Sequence, residues 1–248
     1  MASSPPRSLA DRVDALVGSP TARRRRSPYG SPMNDDERYD AFAALVATRG
    51  RRYAGCSLGS FKADSVGARA AVASLRQLAA DMPRRLHDGE GGLLLYGPAG
   101  VGKDHLLFAM MRSAIVDHGF AVAWWDGLRL LAEVKSAIAD GGVETMLSSL
   151  VRVPVLGLSD PVPPRDTLTT YEMAVIRDLF ERRYSHAAAT WVTTNIEETG
   201  EANRLLSAPV MSRLRHGALQ IHCDWSDYRT SFDAASRSER SSLAAGSA

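Results

Sequence analysis

Apolar positions along the chain follow two rhythms, and their order predicts the fold. DDERYDAFAALVATRG opens on acidic residues, repeats its apolar positions at helical spacing and closes on glycine, so it predicts a helix over Asp35 to Arg49. SVGARAAVASLRQLAADM predicts a second helix, ended by Pro83. GLLLY is a short apolar run between glycines, as a buried strand requires. DHLLFAMMRSAIVDHG reads as a helix stopped by Gly119, and FAVAWW as the next strand. DGLRLLAEVKSAIADGG is a helix with Asp126 at its N-cap, and VPVLGL is a third strand. TLTTYEMAVIRDLFERRYSH predicts a long helix and AATWVTTN a fourth strand. EETGEANRLLS and APVMSRLRHG are short helices, and ALQIHC is a fifth strand. Strands alternating with helices predict an α/β fold with a five-stranded parallel sheet between helices.

The ends of the chain break this pattern. Residues 1–33 are rich in Ser, Pro and Arg, with four arginines at Arg23 to Arg26, and predict a disordered basic arm. That run is either a contact for nucleic acid or a solvated tail. Residues 34–65 form an N-terminal helix and linker, residues 66–229 the main domain, and residues 230–248 a second disordered tail poor in large apolar side chains.

Composition narrows the function classes. The net charge of +2 creates no global field that demands a polyanionic partner. There are three lysines against 27 arginines, so the Gly-Lys pair at Gly102-Lys103 stands out. Cys56 and Cys223 have no metal-ligand spacing and read as two reduced thiols. No apolar run approaches the ~20 residues of a membrane span, and the polar, Pro-rich start is not a signal peptide. These features predict a cytoplasmic protein with no membrane partner.

The chemistry begins at GPAGVGKDHL. A strand precedes it and an amphipathic helix follows, the context that a phosphate-binding loop needs. Gly97, Pro98, Ala99, Gly100, Val101 and Gly102 would wrap backbone N–H groups round phosphate oxygens, and the helix start adds favourable partial charge. Lys103 would reach the β- and γ-phosphates of ATP, with Asp104 and His105 completing the loop. The pattern calls for Ser or Thr after the lysine, to hold Mg²⁺. Here that residue is Asp104. A carboxylate beside a triphosphate gains ~0.3–1 kcal/mol from the helix dipole but faces repulsion of ~4 kcal/mol at 4 Å. Asp104 therefore either binds Mg²⁺ or weakens ATP binding.

Hydrolases with such loops place acids at the end of a neighbouring strand. VPVLGLSDPVPP ends its strand in Ser159-Asp160, where two acids would be usual. One account is an exchange: the loop carries the carboxylate, Asp104, and the strand the hydroxyl, Ser159, with Mg²⁺ between them. A second account is decay of both positions, leaving a nucleotide binder that hydrolyses poorly. A third arrangement stays open. Asp160 remains as the acid that activates water. Asn195, ending the fourth strand, either orients that water, senses the γ-phosphate or caps the next helix.

GPAGVGKDHL, VPVLGLSDPVPP, WVTTN and VMSRLRHGALQIHCDWSDYR, in this order, resemble the helicase-loader branch of the AAA+ ATPases, which includes DnaC, DnaI and the IstB-like transposition helpers. The resemblance spans roughly residues 50–229. It implies a P-loop core that self-assembles through nucleotides held between subunits, with single-stranded DNA inside the assembly and a replicative helicase as partner. It assigns Arg213 the role of an arginine finger acting on a neighbour's site, with Arg215 a weaker candidate. Arg129 and Lys135 either contribute DNA phosphate contacts or line a solvated helix face. Trp124 and Trp125 lie in a strand, where core packing competes with base stacking. Both altered metal positions depart from the family pattern, and the segment before the core is short for a helicase-binding domain. The implied function is an ATP-binding, ATP-hydrolysing replication accessory protein. A transposition helper and a non-hydrolysing nucleotide-gated module are the alternatives.

Overall fold

The computed structural model describes residues 32–161, 169–197, 202–203 and 206–227. Five parallel strands form one sheet: β1 (Gly92–Tyr96), β2 (Val122–Asp126), β3 (Val155–Ser159), β4 (Ala189–Thr194) and β5 (Ala218–His222). Their spatial order is β2-β3-β4-β1-β5. Every residue of β3 is buried, which explains its unbroken apolar run. The register pairs Ser159 with Thr193 and Tyr96 with Thr194, so β1, β3 and β4 end side by side on one edge. The chain leaves β1 and re-enters the sheet at β2, beyond β4 and β3, so this edge is a topological switch point where ligands of such sheets bind.

The helices are α1 (Asp35–Arg49), α2 (Val66–Ala80), α3 (Met82–His87), α4 (Lys103–Val116), α5 (Gly127–Ala139), α6 (Val143–Arg152), α7 (Thr170–Ser185) and α8 (Ala208–Arg215). Alternation along the strands sends side chains to opposite faces. Leu93, Leu95 and Trp191 pack with residues of α1, α2 and α4. Leu94, Val192, Leu156 and Leu158 pack with α5, α6, α7 and α8. Gly157 keeps the sheet close to α4, because a Cβ there would meet Met111 Sδ at 2.7 Å.

Local chemistry fixes the helix starts. Asn34 Oδ1 accepts the Glu37 N–H at 3.0 Å, and Glu37 Oε2 accepts the Asn34 N–H at 2.7 Å. Thr169 and Glu172 repeat this capping box at α7, and Asp126 Oδ1 caps α5 through the Arg129 N–H.

Two elements differ from the sequence expectation. Pro83 does not simply end a helix. It sits in the first turn of α3, where its missing N–H has no partner to lose. The stretch VETMLSSLVR before β3 forms α6, burying Met146, Leu147, Leu150 and Val151.

The segment 34–65 is not separate from the main core. Phe42 and Leu45 of α1 are buried with α4, and the Phe42 and Phe108 rings meet edge-on at 6.3 Å. Met33 is tied down as well: its N–H donates to Gly119 O at 3.1 Å. No helix among the described residues is long and apolar enough to cross a membrane. Of the expected tails, residues 1–31 of the arm at 1–33 and all of 230–248 lie outside the described residues, as does most of the expected helix at 197–207.

Candidate nucleotide site

The loop between β1 and α4 makes a concave turn. Gly97, Gly100 and Gly102 have φ of 136°, 88° and 90°, a region that side chains other than glycine rarely enter. Gly97 also approaches the backbone closely, since a Cβ would fall 2.4 Å from Cys223 O. The Trp225 indole N–H holds the loop by donating to Val101 O at 2.8 Å. Pro98 and Ala99 are exposed at its crest.

Lys103, the first residue of α4, is buried under this turn. Its ammonium donates to Gly97 O and Pro98 O, each at 2.7 Å, and to Asn195 Oδ1 at 2.8 Å. Burial lowers its pKa, with partial compensation from Asp160 and Asp104. A desolvated cation of this kind favours an arriving phosphate.

Asn195 joins Lys103 to Asp160. Its backbone N–H donates to Asp160 Oδ1 at 3.0 Å and its amide to Oδ2 at 2.9 Å. Asp160 has φ of 44°, and its carbonyl rests on Gly127, where a Cβ would meet it at 2.0 Å. Burial raises the Asp160 pKa, opposed by the Asn195 N–H. The Asn195 side chain thus bridges Lys103 and Asp160.

Asp104 and Ser159 meet. Ser159 Oγ donates at 2.8 Å and 2.9 Å to the two oxygens of Asp104, and Thr193 Oγ1 donates to Oδ1 at 2.9 Å. A further residue completes the cluster. Arg49, the last residue of α1, donates from Nη2 to Asp104 Oδ2 at 2.7 Å and to the Tyr53 hydroxyl at 3.0 Å. Its guanidinium lies 4.7 Å from the Tyr53 ring centre and 4.5 Å from that of Trp124. Trp124 is therefore a core ring that also backs this cation.

These residues do not fit Mg²⁺. A Mg²⁺ held by a carboxylate and phosphates needs carboxylate oxygens turned toward it. Both oxygens of Asp104 accept from side chains, one of them from the Arg49 guanidinium, which already supplies a positive charge there. Opening the Arg49–Asp104 pair would strand a partly buried cation, at a cost below the ~3–5 kcal/mol of a fully buried pair.

Other expected residues lie elsewhere. His105 turns to the N-terminal segment, donating from Nε2 to Ser57 O at 3.0 Å and packing edge-on against Phe61. Arg213 Nη2 pairs with Glu181 at 2.6 Å, and Nη1 donates to Pro209 O, so within the subunit it lies on α7. Arg129 stacks over Trp125 at 4.9 Å, and Lys135 pairs with Glu172 at 3.7 Å.

Sequence reasoning missed Arg49, Thr193 and Asp227. Arg49 is 55 residues from Asp104, so no spacing reveals the pair. The signal was chemical: a lone carboxylate in a phosphate loop needs a cation. Asp227 lies against the loop itself, its carboxylate 2.2–2.3 Å from where a Cβ on Gly100 would stand.

A parallel sheet, a glycine turn over a buried lysine and polar strand ends beside it define a P-loop nucleotide-binding protein of the AAA+ type. The model of the IstB-like ATP binding proteins matches residues 69–233, and the chain belongs to that family. The replicative helicase loader DnaC of Buchnera aphidicola subsp. Schizaphis graminum is 25% identical over 181 residues, covering 71% of this chain and 70% of that protein. A crystal structure of the DnaC helicase loader superposes with TM-score 0.63 at 22% identity, covering 70% of this chain and 99% of that one. A crystal structure of DnaI superposes with TM-score 0.57 at 20% identity, covering 72% and 93%.

Proposed function

We propose that this chain is an ATP-dependent accessory protein of DNA replication, of the helicase-loader type, which assembles on single-stranded DNA and contacts a replicative helicase. The observation that carries the reading is the chain of contacts from Lys103 through Asn195 to Asp160, laid along the strand ends beside the loop.

In this reading Gly97 to Gly102 bind the phosphates through their N–H groups, and Lys103 exchanges its loop carbonyls for phosphate oxygens. Asn195 then loses its lysine contact and reports that a phosphate has arrived. Asp160 takes the proton of the attacking water, and a raised pKa suits a base working near neutrality. Arg213 leaves Glu181 to reach the site of a neighbouring subunit, where such an arginine adds ~10³–10⁵ in rate. Arg129 and Lys135 supply DNA phosphate contacts from α5.

A transposition helper is the second reading, favoured by the IstB-like family match. ATP-dependent assembly on single-stranded DNA, followed by copurification from cells, separates the two. The proposal predicts a replicative helicase in the captured complex. A transposase there, with no helicase, would support the second reading. Failure to assemble on DNA at any ATP concentration would contradict both.

A further inference from the structure

Arg49 meets the residue through which a phosphate loop ordinarily brings its metal. Asp104 occupies the hydroxyl position of the loop pattern, and its carboxylate lies at the ends of β3 and β4. The group that meets it is a guanidinium, which carries its charge at any accessible pH and is shaped to bind phosphate. Arg49 is also preorganised: the Tyr53 hydroxyl, the Tyr53 and Trp124 rings and Asp104 fix it, and its side chain is only 16% exposed. Its buried Nε has no hydrogen-bond partner among the described residues.

We propose that Arg49 is the resident cation of the nucleotide site, so that ATP binds without a divalent metal. This rests on the nucleotide-binding reading above and gives that site its cation. Asp104 then holds Arg49 in place instead of ligating Mg²⁺, and Ser159 and Thr193 orient Asp104. The exchange of carboxylate and hydroxyl between loop and strand becomes one part of a larger change, in which a guanidinium replaces the ion. Because Arg49 ends α1, bound nucleotide also acts directly on the N-terminal helix.

The test is equilibrium binding of ATP to the full chain, in excess EDTA and in excess Mg²⁺. The wild-type dissociation constant should differ by less than about threefold between the two. Arg49→Ala should weaken binding at least about tenfold in EDTA and regain part of it with Mg²⁺, since the Asp104 carboxylate is then left without its cation. Arg49→Lys keeps the charge without the fork and should fall between; it serves if the alanine variant folds poorly. Loss of wild-type binding in EDTA, or an Arg49→Ala variant that binds like the wild type there, would overturn the proposal alone. Absence of ATP binding in both conditions would overturn the nucleotide-binding reading and this proposal with it.

Discussion

Gly100 and Asp104 show how much one residue decides here. Gly100 has φ of 88° and faces the Asp227 carboxylate. Gly100→Ala strains the loop and drives a methyl into that carboxylate, so ATP affinity should fall at least about tenfold while the fold survives, as titration calorimetry and circular dichroism would show. Asp104→Thr restores the usual loop residue but strands Arg49. It should cost about 1–3 kcal/mol of stability by urea unfolding, less than a fully buried pair because Asp104 is partly exposed. Ser159→Asp alone sets a second carboxylate against the first and should destabilise too. The double variant should recover more than the sum of the singles, with a coupling of about 1 kcal/mol or more. Strict additivity would show that Asp104 and Ser159 do not act together.

At the scale of elements, α1 couples folding to the site. Phe42→Ala removes a buried ring that packs on Phe108, and should cost about 3–5 kcal/mol in urea unfolding. The α4–α2 junction carries a pH dependence. Burial holds the His118 imidazole below its ordinary range, against the pull of its bond to Ala79 O. The fold therefore prefers it neutral. That stabilisation is complete above the ordinary His value of ~6.5 and is lost as pH falls through the lower folded value. Thermal melts should show His118→Gln losing less stability than the wild type between about pH 7 and about pH 5. The legible elements were those with one strong signal. Strands β1 and β3 show as apolar runs, α5 carries its cap in Asp126, and α1 has an acidic start and a glycine stop. Helix α3 was hidden because proline reads as a stop, though it equally suits a helix start. Helix α6 has a helical spacing of Val143, Met146, Leu147 and Leu150, but it is only 10 residues long and no side-chain cap marks its start. The loop, Lys103, Asp160 and Asn195 were legible because one strand-loop-helix motif and two strand ends carry them. Arg49 was not, because only the packing of α1 on the sheet brings it to Asp104.

At the scale of the whole molecule, the proposed function requires two side chains to change partners. Arg213 lies on Glu181 of its own subunit, and Lys103 lies on its own loop. In the proposed function, ATP and a neighbouring subunit draw both out. Arg213→Ala should leave ATP affinity unchanged and lower turnover by about 10³-fold or more. Mixing it with Lys103→Ala should restore part of the turnover, because each variant supplies what the other lacks across an interface. Mixtures no more active than their components would place Arg213 outside the neighbour's site.

The most direct test of the account is ATP turnover by the purified chain with single-stranded DNA, with and without Mg²⁺, against Lys103→Ala. The account predicts turnover above that variant, stimulated by the DNA. Turnover equal to Lys103→Ala in both conditions would contradict the roles given to Lys103, Asp160 and Arg213, and would leave a nucleotide-gated binder in place of a hydrolase.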